Sequence, residues 1–142
     1  MIYTHLTNEE AMKLAYKAHN GQVDKSGIPY IFHPYHLAEQ MPDELTTCVA
    51  LLHDVVEDTD VTLDELAKIF PREVVEAVGL MTHEKDEPYF DYVKRISTNP
   101  IARTVKLADL QHNSDQSRLE DADEATLAHY REKYREAFEI LK

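Results

Sequence analysis

Three glycines in 142 residues constrain this chain more than any other single feature. Tight hairpins and left-handed turns draw on glycine, so a sheet-rich fold is hard to build from it. Apolar residues recur instead at helical spacing, between capping residues and prolines. Thr7 and Glu10 form a capping-box pattern ahead of Ala11, Leu14, Ala15 and Ala18, and Gly21 lies where that helix would end. A short helix is expected over residues 34–41, closed by Pro42. Over residues 43–57 the stripe Leu45, Val49, Leu52 and Val56, widened by Cys48, Leu51 and Val55, predicts a long, central, buried helix.

The same punctuation continues. Thr62 with Glu65 opens a helix over residues 62–70, Pro71 one over 71–81, Pro88 one over 88–97, and Asn99-Pro100 one over 100–114. THEKDEP reads as a loop, and residues 116–123 as a polar connector. A last helix places Leu127, Tyr130, Tyr134, Phe138 and Leu141 on one stripe, which fits core packing or a homo-oligomer face. The expected fold is all-α: one domain over residues 1–142, a bundle of about seven or eight helices.

Composition narrows the function classes. Apolar residues at 43% and charged residues at 30% fit a folded globular chain. No apolar run approaches the ~18 residues of a membrane span. The start MIYTHLTNEE lacks the basic and apolar regions of a signal peptide. A single cysteine, Cys48, excludes an internal disulfide and a thiolate-only metal site, and points to a reducing, cytoplasmic setting. The net charge of −12 opposes binding to duplex nucleic acid or an anionic membrane through a broad basic face. Between residues 43 and 65 the chain carries eight Asp/Glu and no Lys or Arg. That run is a solvated face or a place for a cation.

His53-Asp54 is the centre of interest. An imidazole beside a carboxylate suits a borderline divalent metal. The pair is flanked by Leu51, Leu52, Val55 and Val56, so at least one of the two is expected to face the interior, where an unpaired carboxylate is costly. Glu57 and Asp58 follow at helical spacing and add repulsion that a cation would relieve. Two further segments carry similar groups. In TVKLADLQHN, Asp109 follows an apolar approach and Asn113 sits one turn later, while in YIFHPYH His33 is held rigid by Pro34. His33, His53, Asp54 and Asp109 would make an N2O2 ligand set with room for water. Spacing alone does not bring the three segments together, and each has a plain reading as part of an amphipathic helix.

HP at 33–34, HDVVEDT at 53–59 and KLADLQHN at 106–113 together resemble the HD-domain metal-dependent phosphohydrolases. Within them the chain is similar to the hydrolase domain of RelA/SpoT-type proteins and the small alarmone hydrolases, and AYKAHNGQVDKSGIPYIFHP strengthens the likeness. The likeness covers residues 6–119. It implies a helical HD fold with His33, His53, Asp54 and Asp109 as ligands of a divalent metal, usually Mn2+. It implies that Glu57 and Asp58 handle the attacking water, and that Lys25, Lys106 and Asn113 lie near the nucleotide or the metal.

The implied reaction removes pyrophosphate from the 3′ position of (p)ppGpp, and no synthetase activity is expected. Asp24 and Leu110 stand where the family commonly has arginine. The alternatives are an HD nucleotidase or phosphatase with another substrate, and a sensor that binds metal and nucleotide without turnover. Phosphate binding in so acidic a chain would fall to Lys25, Lys106 and Arg118.

Overall fold

The computed structural model describes residues 6–24, 26–114 and 124–142. Lys25, Arg118 and the connector at 116–123 lie outside the described residues. The described elements are helices: α1 (Leu6–Ala18), α2 (Phe32–Glu39), α3 (Glu44–Leu52), α4 (Val55–Asp58), α5 (Leu63–Ala67), α6 (Arg72–Met81), α7 (Tyr89–Ser97), α8 (Pro100–Asn113) and α9 (Glu124–Leu141). The all-α expectation holds among them, and their only β pairing is an isolated bridge between Val23 and Pro29.

Most boundaries follow from local chemistry. Asp43 caps α3 in a reciprocal box with Thr46. Thr62 accepts from the Glu65 amide at the start of α5, and Asn99 accepts from the Ile101 and Ala102 amides at the start of α8. Pro71 and Pro88 stand just ahead of α6 and α7. Two expected starts shift. The first helix already includes Leu6, one residue before Thr7, and α2 begins at Phe32, so Pro34 sits inside its first turn. Gly21 and Gly27 have φ of 87° and 80° and turn the chain through the left-handed region between α1 and α2.

The expected long helix over residues 43–57 is broken in two, which corrects that reading. His53 and Asp54 form a turn between α3 and α4, with Asp54 at φ −107° and ψ 0°. His53 Nδ1 donates to the Ala50 carbonyl at 2.7 Å, the acceptor that an unbroken helix would offer to the Asp54 amide. Counted as one interrupted helix, α3 and α4 bring the helices among the described residues to eight, within the seven or eight expected.

Residues 46–52 of α3 are all buried, because α3 packs against α1, α2, α6 and α8. Burial of Leu51 and Leu52 is worth about 1.5–3 kcal/mol for each side chain. On α9, Ala137 and Leu141 are buried, and Tyr134 and Phe138 pack on the core, which supports the packing reading of that stripe. Among the described residues no helix is long and apolar enough to cross a membrane.

Candidate active site

Three of the expected site residues meet in the interior. His33 on α2, His53 at the end of α3 and Asp109 on α8 are all buried, and one ligand atom from each lies within 4.8 Å of the others. His33 Nε2 is 2.9 Å from Asp109 Oδ1, and His53 Nε2 is 3.5 Å from the same oxygen. Asp54 joins through Oδ2, 3.1 Å from His53 Nε2, and heads a second group with Glu57 and Asp58 on the rim. The break between α3 and α4 makes this possible, since it presents His53 inward and sets Asp54 at the edge of the same space.

A cation fits this donor set. His53 spends its Nδ1–H on Ala50, which leaves the buried Nε2, facing Asp54 Oδ2 at 3.1 Å, to hold either a proton or a metal. Burial opposes charge on His53, yet Asp54 and Asp109 outweigh it and raise its pKa well above the ordinary value. Positive charge is therefore favoured at this point, and a proton or a divalent metal can supply it. His33 differs: burial lowers its pKa against the pull of Asp109, which keeps it neutral and able to ligate.

Neighbours fix each carboxylate. Asp109 Oδ2 accepts from Lys106 Nζ at 2.9 Å, and Oδ1 accepts from Asn113 Nδ2 at 3.1 Å. Burial would raise the Asp109 pKa, but Lys106 and both histidines hold it well below the carboxylate range. Lys106 is itself buried, with its ammonium 5.3 Å from the Tyr92 ring centroid. So the structure binds Lys106 to a proposed ligand first and to any substrate second. Asn113 has the same double position.

Glu57 and Asp58 point the other way electrostatically. Desolvation and the nearby Asp54 raise both pKa values, so each holds a proton to higher pH than a free carboxyl. Glu57 Oε1 accepts the His83 backbone amide at 3.0 Å, which ties α4 to the loop after α6.

Several contributors had no sequence signal. The Tyr30 hydroxyl donates to Asp54 Oδ2. His83 stacks on Tyr92 with 4.6 Å between centroids. His33 Nδ1 and His112 Nδ1 lie within hydrogen-bond distance at 2.6 Å, and the His112 ring also lies against His36. Of these, only His112 stood out in the sequence, as a polar group within the KLADLQHN segment.

Two cavities open beside the centre. One of about 600 Å3 is lined by Asp24, Ser26, Phe32, His33, His36 and His112. The Asp24 carboxylate accepts from the Ser26 and Ile28 amides at 2.8 and 3.1 Å, so it organises its own loop. The other, about 250 Å3, reaches Glu57, Lys106, Asn113 and Lys133.

This chain belongs to the HD domain family, whose profile matches residues 11–125. It is 33% identical over 134 residues to the bifunctional (p)ppGpp synthase/hydrolase SpoT of Escherichia coli K12, covering 80% of this chain and 19% of that protein. It is 39% identical over 118 residues to the human guanosine-3′,5′-bis(diphosphate) 3′-pyrophosphohydrolase MESH1, covering 73% of this chain and 65% of that one. The chain thus spans about a fifth of the SpoT relative and just under two thirds of the human one. A solved structure, described as a metazoan ortholog of SpoT that hydrolyzes ppGpp and plays a role in starvation responses, shares the fold. Its TM-score is 0.82 at 23% identity, covering 100% of this chain and 89% of that one.

Proposed function

We propose that this chain is a metal-dependent phosphohydrolase that removes pyrophosphate from the 3′ position of (p)ppGpp. The observation that carries the reading is the buried convergence of His53 Nε2 with Asp54, Asp109 and His33, ligand-type atoms gathered round one point. In this reading His33, His53, Asp54 and Asp109 hold the cation, Mn2+ by family likeness. A divalent cation, when bound there, lowers the pKa of water and offsets phosphoryl charge. Glu57 orients the attacking water and takes its proton, and its raised pKa brings that task closer to neutral pH. Asp58 serves the leaving oxygen. Lys106 and Asn113 hold Asp109 in place while their other side meets the nucleotide, and Lys25 is a further nucleotide contact by family likeness. Residues 1–142 act as a single HD-type domain in the cytoplasm, on a small phosphorylated nucleotide rather than on duplex nucleic acid or a membrane.

The names of SpoT and MESH1 support this substrate. Asp24 favours a second reading, an HD nucleotidase or phosphatase with a different base, because it puts a carboxylate on the wall of the larger cavity. One assay separates them: pyrophosphate release from ppGpp with added Mn2+, beside nucleoside mono- and triphosphates. Selective release from ppGpp that disappears in Asp54→Ala is the expected result. Turnover that survives Asp54→Ala overturns the metal mechanism, and cleavage of another nucleotide alone moves the substrate to the second reading.

A further inference from the structure

Lys133 on α9 lines the smaller cavity. It is half-buried, with Nζ 4.1 Å from the centroid of the Tyr89 ring. Among the described residues no carboxylate pairs with it. The same cavity is lined by Glu57, Lys106 and Asn113. Lys106 is committed to Asp109 Oδ2 at 2.9 Å, so its charge is already compensated. Lys133 is not compensated, and burial together with the Lys106 charge lowers its pKa. A chain with net charge −12 thus turns two ammonium groups toward one small space and pairs only one of them. An anion in that space would complete the arrangement.

We propose that Lys133 is a substrate-binding residue whose ammonium holds a phosphate of the nucleotide in the cavity beside Glu57. The inference rests on the phosphate-handling part of the function proposed above. A phosphoryl group lying between Glu57 and Lys133 would sit beside Lys106 and Asn113, which line the same cavity and bond the candidate ligand Asp109. Tyr89 places the ammonium by a cation–π contact and shields it from bulk water, which strengthens its pull on the anion. Lys133 is therefore expected to govern substrate affinity while Glu57 and Asp58 govern the chemical step.

The test uses inorganic pyrophosphate as probe, titrated by calorimetry into the full chain in EDTA, followed by steady-state kinetics with Mn2+. Lys133→Met keeps the aliphatic stem against Tyr89 and removes the charge. It should weaken pyrophosphate binding about tenfold and raise KM by a similar factor, with kcat within about twofold. Lys133→Arg should restore most of both. Lys13→Met, which removes an exposed charge paired with Glu9, should change neither.

Pyrophosphate binding and KM unchanged in Lys133→Met overturn the inference even if ppGpp is cleaved. An equal loss in Lys13→Met overturns it too, by reducing the effect to bulk charge. If the parent chain cleaves no ppGpp but its pyrophosphate binding still depends on Lys133, the substrate reading fails and the inference stands.

Discussion

His53 Nδ1 is bonded to the Ala50 carbonyl at 2.7 Å, and this one contact both ends α3 and turns Nε2 toward Asp54 and Asp109 in the interior. A cation that occupies the space should stabilise the fold by mass action. At a free concentration near 100 times its Kd, the gain is about 2.7 kcal/mol, or about 5–10 °C in Tm for a chain of this size. Thermal melts of the EDTA-stripped chain with and without Mn2+ check this. His53→Asn is expected to abolish the shift, and a full shift in that variant would remove His53 from the ligand set.

Asp109 and Lys106 form a buried ion pair at 2.9 Å. Asp109→Ala leaves the buried ammonium charged and without its hydrogen-bonded partner, which should cost about 3–5 kcal/mol in metal-free urea unfolding. Lys106→Met added to Asp109→Ala should recover much of that loss, because the stranded charge is gone. A double variant no more stable than Asp109→Ala would place the cost elsewhere.

How much of this was legible follows from the range of the interactions. Asp43, Thr62 and Asn99 cap helices through amides two or three residues away, so the sequence marked those starts. The break at His53-Asp54 carries no glycine or proline. It depends on an imidazole replacing a backbone donor, and periodicity alone reads straight through it. The residue types of the candidate site were visible, but their meeting was not. His33 and Asp109 touch across 76 residues, Tyr30 and Asp54 across 24, and Glu57 and the His83 amide across 26. Tyr30 and His83 therefore had no local signal. Lys133 had none either, since nothing in its own helix separates it from a surface lysine.

His112 Nδ1 lies 2.6 Å from His33 Nδ1, with the two rings nearly parallel at 11° and their centroids 4.9 Å apart, so the imidazoles meet edge to edge through a hydrogen bond. Groups in that position fix the tautomer and the orientation of a metal-ligating imidazole. His112→Phe keeps an aromatic ring beside His33 and removes the hydrogen bond. It is expected to weaken metal affinity by about 10–100-fold, measured by competition with a chelating dye. Parent-like affinity would show that packing alone orients His33.

Cys48 sits in the core on α3, with its thiol donating to Asn8 Oδ1 at 2.9 Å. Burial, with the Glu44 charge as a smaller contribution, pushes its pKa up to about 12. Since the thiolate is the reactive form, iodoacetamide at pH 8 should leave the native chain unlabelled and label it fully in urea. Mass spectrometry of both samples decides, and rapid native labelling would mean that α3 opens readily.

Asp58 carries a pKa raised by desolvation and by Asp54, above the ordinary 3.8. The folded chain therefore binds its proton more tightly than the unfolded chain does. The associated stability is present below the unfolded pKa and is lost as pH rises through the folded one. Above that window the ionised carboxylate opposes folding. In EDTA, Asp58→Asn should thus be more stable than the parent at pH 7, with the gain shrinking toward pH 4 and below. Saturating Mn2+ should reduce the gain at pH 7, because a cation near Asp54 offsets the repulsion that raises the Asp58 pKa. Urea unfolding of both chains across that range measures the difference. A gain that is constant with pH would assign the effect to packing instead of charge.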